Sequence, residues 1–379
     1  MKNLLLIISV IAMIANSGCT TDSASFSKLS RDKFQTTVDG KATDLYFLKN
    51  KNGMEITVTN FGARIVELFA PDRDGIFEDI VLGHDHIDKY VNYGTTERFL
   101  GSTIGRYGNR IANGKFTLDE VEYTLPINNA PNSLHGGTKG FDMLVWDARQ
   151  IDAQNIEFCL VSPDGDQGYP GTLTVVMTYE LNDDDELVIV HNATTDKKTV
   201  VNLTHHSFFN LHGAGNGTIN DHIMMINASN YNPVNSTLIP EGPVATVDDT
   251  PMDFRIPTAI GDRVDQDFVQ LQYGRGYDHN WVLDRKTSNE LEQAAVVYEP
   301  VSGRVMEVWT TEPAIQFYGG NFFDGSWTGK DDKSYDFRAS LALETQHYPD
   351  SPNRPDFPST VLEPGQDYYH KCVYKFGVK

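Results

Sequence analysis

Cysteine is almost absent: 379 residues contain three, so no disulfide framework holds the chain, and no Cys-x-x-Cys or Cys/His zinc spacing occurs. Positive charge is scarce too. Thirty-one Lys and Arg stand against 52 Asp and Glu, a formal net charge of −21, which excludes nucleic-acid binding by phosphate neutralisation and disfavours an anionic lipid surface. Helical periodicity is confined to short candidates at 85–91 and 258–262, and no repeat of fixed period is present. There is no phosphate-cradling glycine loop with its following helix and no Gly-x-Ser-x-Gly elbow, which leaves nucleotide binding and a serine nucleophile unsupported. His84-Asp85-His86 offers two imidazoles without a third metal ligand. Asp164-Gly165-Asp166 opens like a calcium loop but lacks the later Glu, so both segments read as turns.

No apolar run is long enough to span a bilayer, which takes roughly 20 residues. The longest, 4–15, is interrupted only by Ser9, follows the basic Met1-Lys2-Asn3 and precedes Asn16-Ser17-Gly18-Cys19. That order reads as an export signal over residues 1–18, with Cys19 placed as in a bacterial lipobox, although Asn16 occupies a position where that motif prefers Leu. The expectation is therefore a lipidated Cys19, or ordinary cleavage close by, and a periplasmic or membrane-anchored location. A polar tether over 19–31 and a single folded domain over 32–379 would follow. Cys159 and Cys372 sit in strand-like segments and read as buried free thiols, with one bridge between them permitted by an oxidising compartment.

What is plentiful is turn and strand material: 31 Gly, 17 Tyr and 20 Phe. Alternating apolar and polar residues recur at 54–60, 64–70, 114–125, 156–161, 173–181 and 187–193, and again at 223–228, 281–283, 294–299, 304–310, 314–318, 341–345 and 368–376. Asp, Asn and Gly clusters such as Asn182-Asp183-Asp184-Asp185 separate them. Strands without intervening helices pair as hairpins and meanders, so the fold class is all-β, one large antiparallel β-sandwich.

Several polar clusters interrupt this texture. In Asn202-Leu203-Thr204-His205-His206-Ser207, strand alternation sends the two histidines to opposite faces, so at most one does chemistry, and a histidine in such a run is more often structural. Glu344, in Leu343-Glu344-Thr345-Gln346, is a carboxylate at the end of an apolar strand, before a Pro-containing loop: burial would make it a competent general base, while an ion pair with an arginine is the plain alternative. Tyr277-Asp278-His279-Asn280-Trp281 combines carboxylate, amide and aromatic groups suited to a sugar's hydroxyls and apolar face. Ile104-Gly105-Arg106-Tyr107-Gly108-Asn109-Arg110 and Leu134-His135-Gly136-Gly137 add glycine-rich polar loops.

Taken together, Asn109-Arg110-Ile111, Leu134-His135-Gly136-Gly137, Asn202 to Ser207, Tyr277-Asp278-His279 and Leu343 to Gln346 resemble the aldose 1-epimerase family across about 32–379. The resemblance implies a β-supersandwich and interconversion of the α and β anomers of free aldohexoses, with no cofactor and no metal. It implies Glu344 as general base, His206 as general acid, and His135, Asn109, Arg110, Asp278 and Gln316 as sugar-holding residues. His205 stands where relatives often carry Asn, which leaves its face open. A carbohydrate-binding β-sandwich without turnover, an epimerase for an unusual exported sugar, and a glycoside hydrolase pairing Glu344 with Asp278 are the alternatives. Preferred sugar and oligomeric state are not written in the sequence.

Overall fold

The computed structural model describes residues 25–92 and 98–379; the export signal expected over 1–18 and Cys19 lie outside them. Three antiparallel sheets dominate. The largest has nine strands in the order Asp147–Gln150, Asn155–Ser162, Leu173–Leu181, Glu186–Thr195, Tyr368–Val378, Arg304–Thr310, Glu292–Tyr298, Ile223–Ile226 and Thr258–Ala259. A five-stranded sheet runs Ala245–Thr246, Asn230–Asn232, Asp278–Val282, Ala314–Tyr318, Ala342–Gln346, and a four-stranded one Leu45–Lys49, Glu55–Thr59, Arg64–Pro71, Phe77–Asp79.

Alternation decides which side of each sheet is buried. In Leu173–Leu181 the odd-numbered positions Leu173, Val175, Met177, Tyr179 and Leu181 are buried and the residues between them are not, the signature of a sheet with one face on the core. That core also takes Ile56, Val58 and Ile65 from the four-stranded sheet and Trp281, Phe317 and Leu343 from the five-stranded one. The five-stranded sheet differs: Ala342–Gln346 is buried at every position. Its second face is polar and roofed by loops, a costly arrangement unless partners or a ligand satisfy it.

Several sequence expectations need adjustment. The segment 114–125 is a hairpin, Lys115–Leu118 paired with Val121–Thr124, because Asp119 and Glu120 both take positive φ and turn the chain. The 85–91 candidate shrinks to a helix Asp88–Val91, and 258–262 divides into a two-residue strand and a 3-10 turn. A six-residue helix, Val269–Gly274, was not foreseen; it is too short to display a period. Cys159 and Cys372 are free. Between their strands lie two others, a span of about 14 Å at 4.7–4.9 Å per strand, well beyond disulfide reach.

The chain is packed before residue 32. Phe26 stacks on Phe77 with centroids 4.8 Å apart and lies against Phe69. The Ser25 hydroxyl and the Phe26 amide donate to Glu55 at 2.6 and 2.9 Å, and Ser27 donates to Glu67 at 2.5 Å. This segment is therefore part of the domain's surface and not free chain.

Candidate functional site

The polar face of the five-stranded sheet follows from register. Gln316 pairs directly with Glu344 and with Asn280, so these three side chains share a face, and alternation adds Asp278 and Gln346. Gln316 Nε2 donates to Asp278 Oδ1 at 2.7 Å. Gln346 Nε2 donates to Asn280 Oδ1 at 3.1 Å, and Asn280 Nδ2 to Asn232 Oδ1 at 2.6 Å. Glu344 sits within its strand, 2% exposed, with Oε2 unpaired; Gln316 Oε1 is likewise buried and unpaired.

The strand Thr204–His206, paired with Ser102–Ile104, brings His206 across to this face. Its Nε2 lies 3.3 Å from Glu344 Oε1. His206 is stacked between Phe208, with centroids 4.7 Å apart, and Phe99 at 5.9 Å. His205 faces the other way: Nδ1 is 3.2 Å from the Tyr179 hydroxyl and Nε2 2.6 Å from that of Ser207. It is a core histidine, which answers the question the sequence left open.

Arg110 and His135 come from a second pairing, Arg110–Ile111 with Ser133–Leu134. Asn109 and His135 adopt left-handed backbone angles, φ +64° and +49°, a conformation a histidine seldom takes outside constrained sites. Gly136 is required next: a Cβ there would lie 1.9 Å from the Gly105 carbonyl oxygen. The Asn109 amide donates to His135 Nδ1 at 3.0 Å. The His135 ring stands edge-on to His206, centroids 5.3 Å apart, and Arg110 NH2 is 3.9 Å from Asp278 Oδ2. The seven sequence-derived residues thus lie on three adjoining elements around one centre.

Burial governs the charges. It raises the Glu344 carboxyl well above its usual range, the neighbouring Asp278 charge adding to this and Arg110 opposing it. The same desolvation pushes His206 down to about 3 and His135 well below an ordinary imidazole. Asp278 is raised by burial, against the pull of Arg110 and Gln316. Desolvation thus favours the neutral form of each partner, an imidazole beside a carboxylic acid.

Among the described residues two trios have the spacing to hold a metal, His135–His206–Glu344 and His212–Asp221–His222. In the first, His135 Nδ1 accepts the Asn109 N–H, so the neutral ring's Nε2 carries the proton and is a donor. In the second, His222 Nε2 accepts the Leu211 N–H at 3.0 Å, which leaves Nδ1–H facing Asp221 at 3.2 Å. Hydrogen bonding to the protein suits both trios better than ligation.

Sequence reading took Asn280 as the amide of a sugar-suited cluster but gave Gln346 no role, though it lies two residues from Glu344 and period two places it on the same face. Phe208, beside Ser207, carries a similar signal. Phe99 carries none, because only the tertiary fold brings it to His206.

The chain is similar to several known proteins. The profile of the family described as Aldose 1-epimerase matches residues 44–375. Human galactose mutarotase is 42% identical over 350 residues, covering 92% of this chain and 99% of that protein. The aldose 1-epimerase of Escherichia coli K12 is 36% identical over 340 residues, 89% of this chain and 96% of the enzyme. A crystal structure of an aldose epimerase homologue from C. elegans superposes with a TM-score of 0.81 at 30% identity, covering 89% and 99% of the two chains.

Proposed function

Because the chain belongs to the aldose 1-epimerase family, we propose that Glu344 and His206 are the base and acid with which it opens and recloses a sugar ring. The reaction is the interconversion of the α and β anomers of free aldoses, galactose and glucose among them. The observation that carries the assignment is the 3.3 Å approach of His206 Nε2 to Glu344 Oε1 in a buried site where Glu344 Oε2 and Gln316 Oε1 lack partners.

Glu344, as carboxylate, takes the proton of the C1 hydroxyl while His206, as imidazolium, protonates the ring oxygen. The C1–O5 bond breaks and C1 becomes the aldehyde carbon. Glu344 is now the acid and His206 the neutral base, the same forms that burial favours for the two side chains. Rotation about C1–C2 presents the other carbonyl face, and reclosure returns both protons. His135 Nε2–H donates to an oxygen at the anomeric centre. Gln316 Oε1 accepts a sugar hydroxyl, and Asp278 with Arg110 holds the far hydroxyls. A hydrolase would need Asp278 free as the second carboxyl, and here Gln316 and Arg110 occupy it.

Polarimetry of freshly dissolved α-galactose and α-glucose tests the assignment. Glu344→Gln, nearly isosteric, should lower the mutarotation rate by about 10² to 10⁴-fold while circular dichroism stays native. A folded variant working at near wild-type rate overturns the role of the base.

We also propose that the protein is exported and held at a membrane by lipid on Cys19. Support comes from the order of Lys2, the apolar run 4–15 and Gly18-Cys19. Cys19→Ala should release the protein from the membrane fraction, and a native N-terminus at Thr20 or later on soluble protein would refute lipidation.

A further inference from the structure

A cavity of about 540 Å³ opens behind the catalytic strands, between the loop after Gln346 and the chain around 359–369, lined by His347, Thr360, Asp367, Tyr368 and Tyr369 among others. None of the residues assigned to catalysis or sugar holding lines it. His347 Nδ1 bonds Glu312 Oε2 at 2.5 Å, a carboxylate 2% exposed, which leaves Nε2 as the ring nitrogen available to a ligand. Both Tyr368 and Tyr369 line the cavity; the Tyr368 hydroxyl accepts the Leu203 N–H at 3.0 Å, and Tyr369 is 52% exposed.

We propose that this cavity is a second, non-catalytic site for one neutral pyranose. The lining selects that class. Anions meet Asp367 and a chain of net charge −21. A cation would face His347, whose imidazole is raised above its ordinary value by Glu312 in spite of burial. A polyhydroxylated neutral ring can accept from imidazole N–H, donate to the Asp367 carboxylate, and lay its apolar face on Tyr369. The volume exceeds what a single hexose needs and lies within the range of small-molecule sites. The pocket wall is also joined to the strands that carry the active site. Asn202 Oδ1 accepts the His347 N–H at 3.0 Å, and Asn202 begins the run that ends in His206, while His347 lies three residues after Glu344.

The proposal builds on the function assigned to the cleft, and the test separates the two. Methyl galactoside, whose blocked anomeric oxygen cannot ring-open, serves as probe in saturation-transfer NMR titrations. Binding should persist in full-length protein carrying Arg110→Met and Glu344→Gln, which disable the cleft. Adding Asp367→Asn and Tyr369→Ala to that protein should weaken it by about tenfold or more. Asp367→Asn with Tyr369→Ala alone should leave polarimetric mutarotation at the wild-type rate. Loss of all binding on disabling the cleft, or unchanged binding when the pocket changes are added, would overturn the second site. A mutarotation rate that falls with the pocket variants would show that the cavity is not separate from catalysis.

Discussion

Arg64, Asp142 and Arg98 form one buried cluster of charges, and Glu344, Asp278 and Arg110 form another in the same β architecture. In the first, both Asp142 oxygens are taken by Arg98, Nε at 2.5 Å and NH2 at 2.7 Å. Arg64 caps the carbonyls of Arg98, Leu100 and Asp142 at 2.7 to 2.9 Å. In the second, Glu344 has one oxygen facing an imidazole at 3.3 Å and the other facing nothing, and Gln316 is half satisfied. Depth is similar, with Asp142 at 0% and Glu344 at 2% exposure, so burial alone does not distinguish a structural charge from a working one. Unspent acceptor capacity does: in the first cluster only a donor, Arg64 Nε, lacks a partner, and the group fixes the segments that carry Phe99 and Phe141, whereas the second leaves two buried acceptor oxygens, Glu344 Oε2 and Gln316 Oε1, unpaired.

The contrast can be broken from either side. The largest effect should come from His206→Asn, a turnover loss of about 10² to 10⁴-fold with little change in the urea midpoint; a matching loss of stability would place His206 with the structural cluster. Asp142→Ala should do the reverse, costing about 3–5 kcal/mol of stability by leaving two buried guanidinium groups without their carboxylate. Equilibrium denaturation measures it, and a cost under about 1 kcal/mol would refute the distinction.

The pH profile sharpens the comparison further. With Glu344 raised and His206 lowered, the pair keeps one proton across the plateau, so mutarotation should fall in acid as the pair takes up a second proton and in alkali as it loses the last. Because the Asp278 charge contributes to raising Glu344, Asp278→Asn should move the alkaline limb to lower pH while weakening sugar binding. An unmoved or raised limb would contradict that coupling. The smallest effect concerns stability. A carboxyl whose folded pKa exceeds its unfolded value, about 4.3, binds its proton more tightly when folded. It therefore costs the fold increasingly as pH climbs from that value toward the folded pKa. Glu344→Gln removes this cost and should be stabilising, more so at pH 8 than at pH 5, as thermal denaturation at both values would reveal.

Much of this was legible in the chain because sheets have a period of two. Alternation identified the core faces, separated His205 from His206, and, applied two residues beyond Glu344, would have reached Gln346. Three kinds of feature were hidden. Turns made by non-glycine residues at positive φ, as at Asp119 and Glu120, carry no composition mark strong enough to split an alternating run. The helix Val269–Gly274 spans fewer than two turns. The stacking of Phe99 on His206 depends on contacts between segments more than a hundred residues apart, where a phenylalanine reads as core whatever it touches.

The docking of Ser25, Phe26 and Ser27 on the four-stranded sheet sets a mechanical limit on the whole enzyme. If lipid is attached at Cys19, only 20–24 remain between the anchor and the packed chain, a reach of roughly 20 Å even when fully drawn out. The domain would then ride moored by one flank and not swing on a long line, so the Phe26 side of the four-stranded sheet would lie nearest the lipid. Sugar would be met in the thin layer of solvent next to the bilayer, at an angle of approach set by two aromatic rings and two glutamates far from the chemistry.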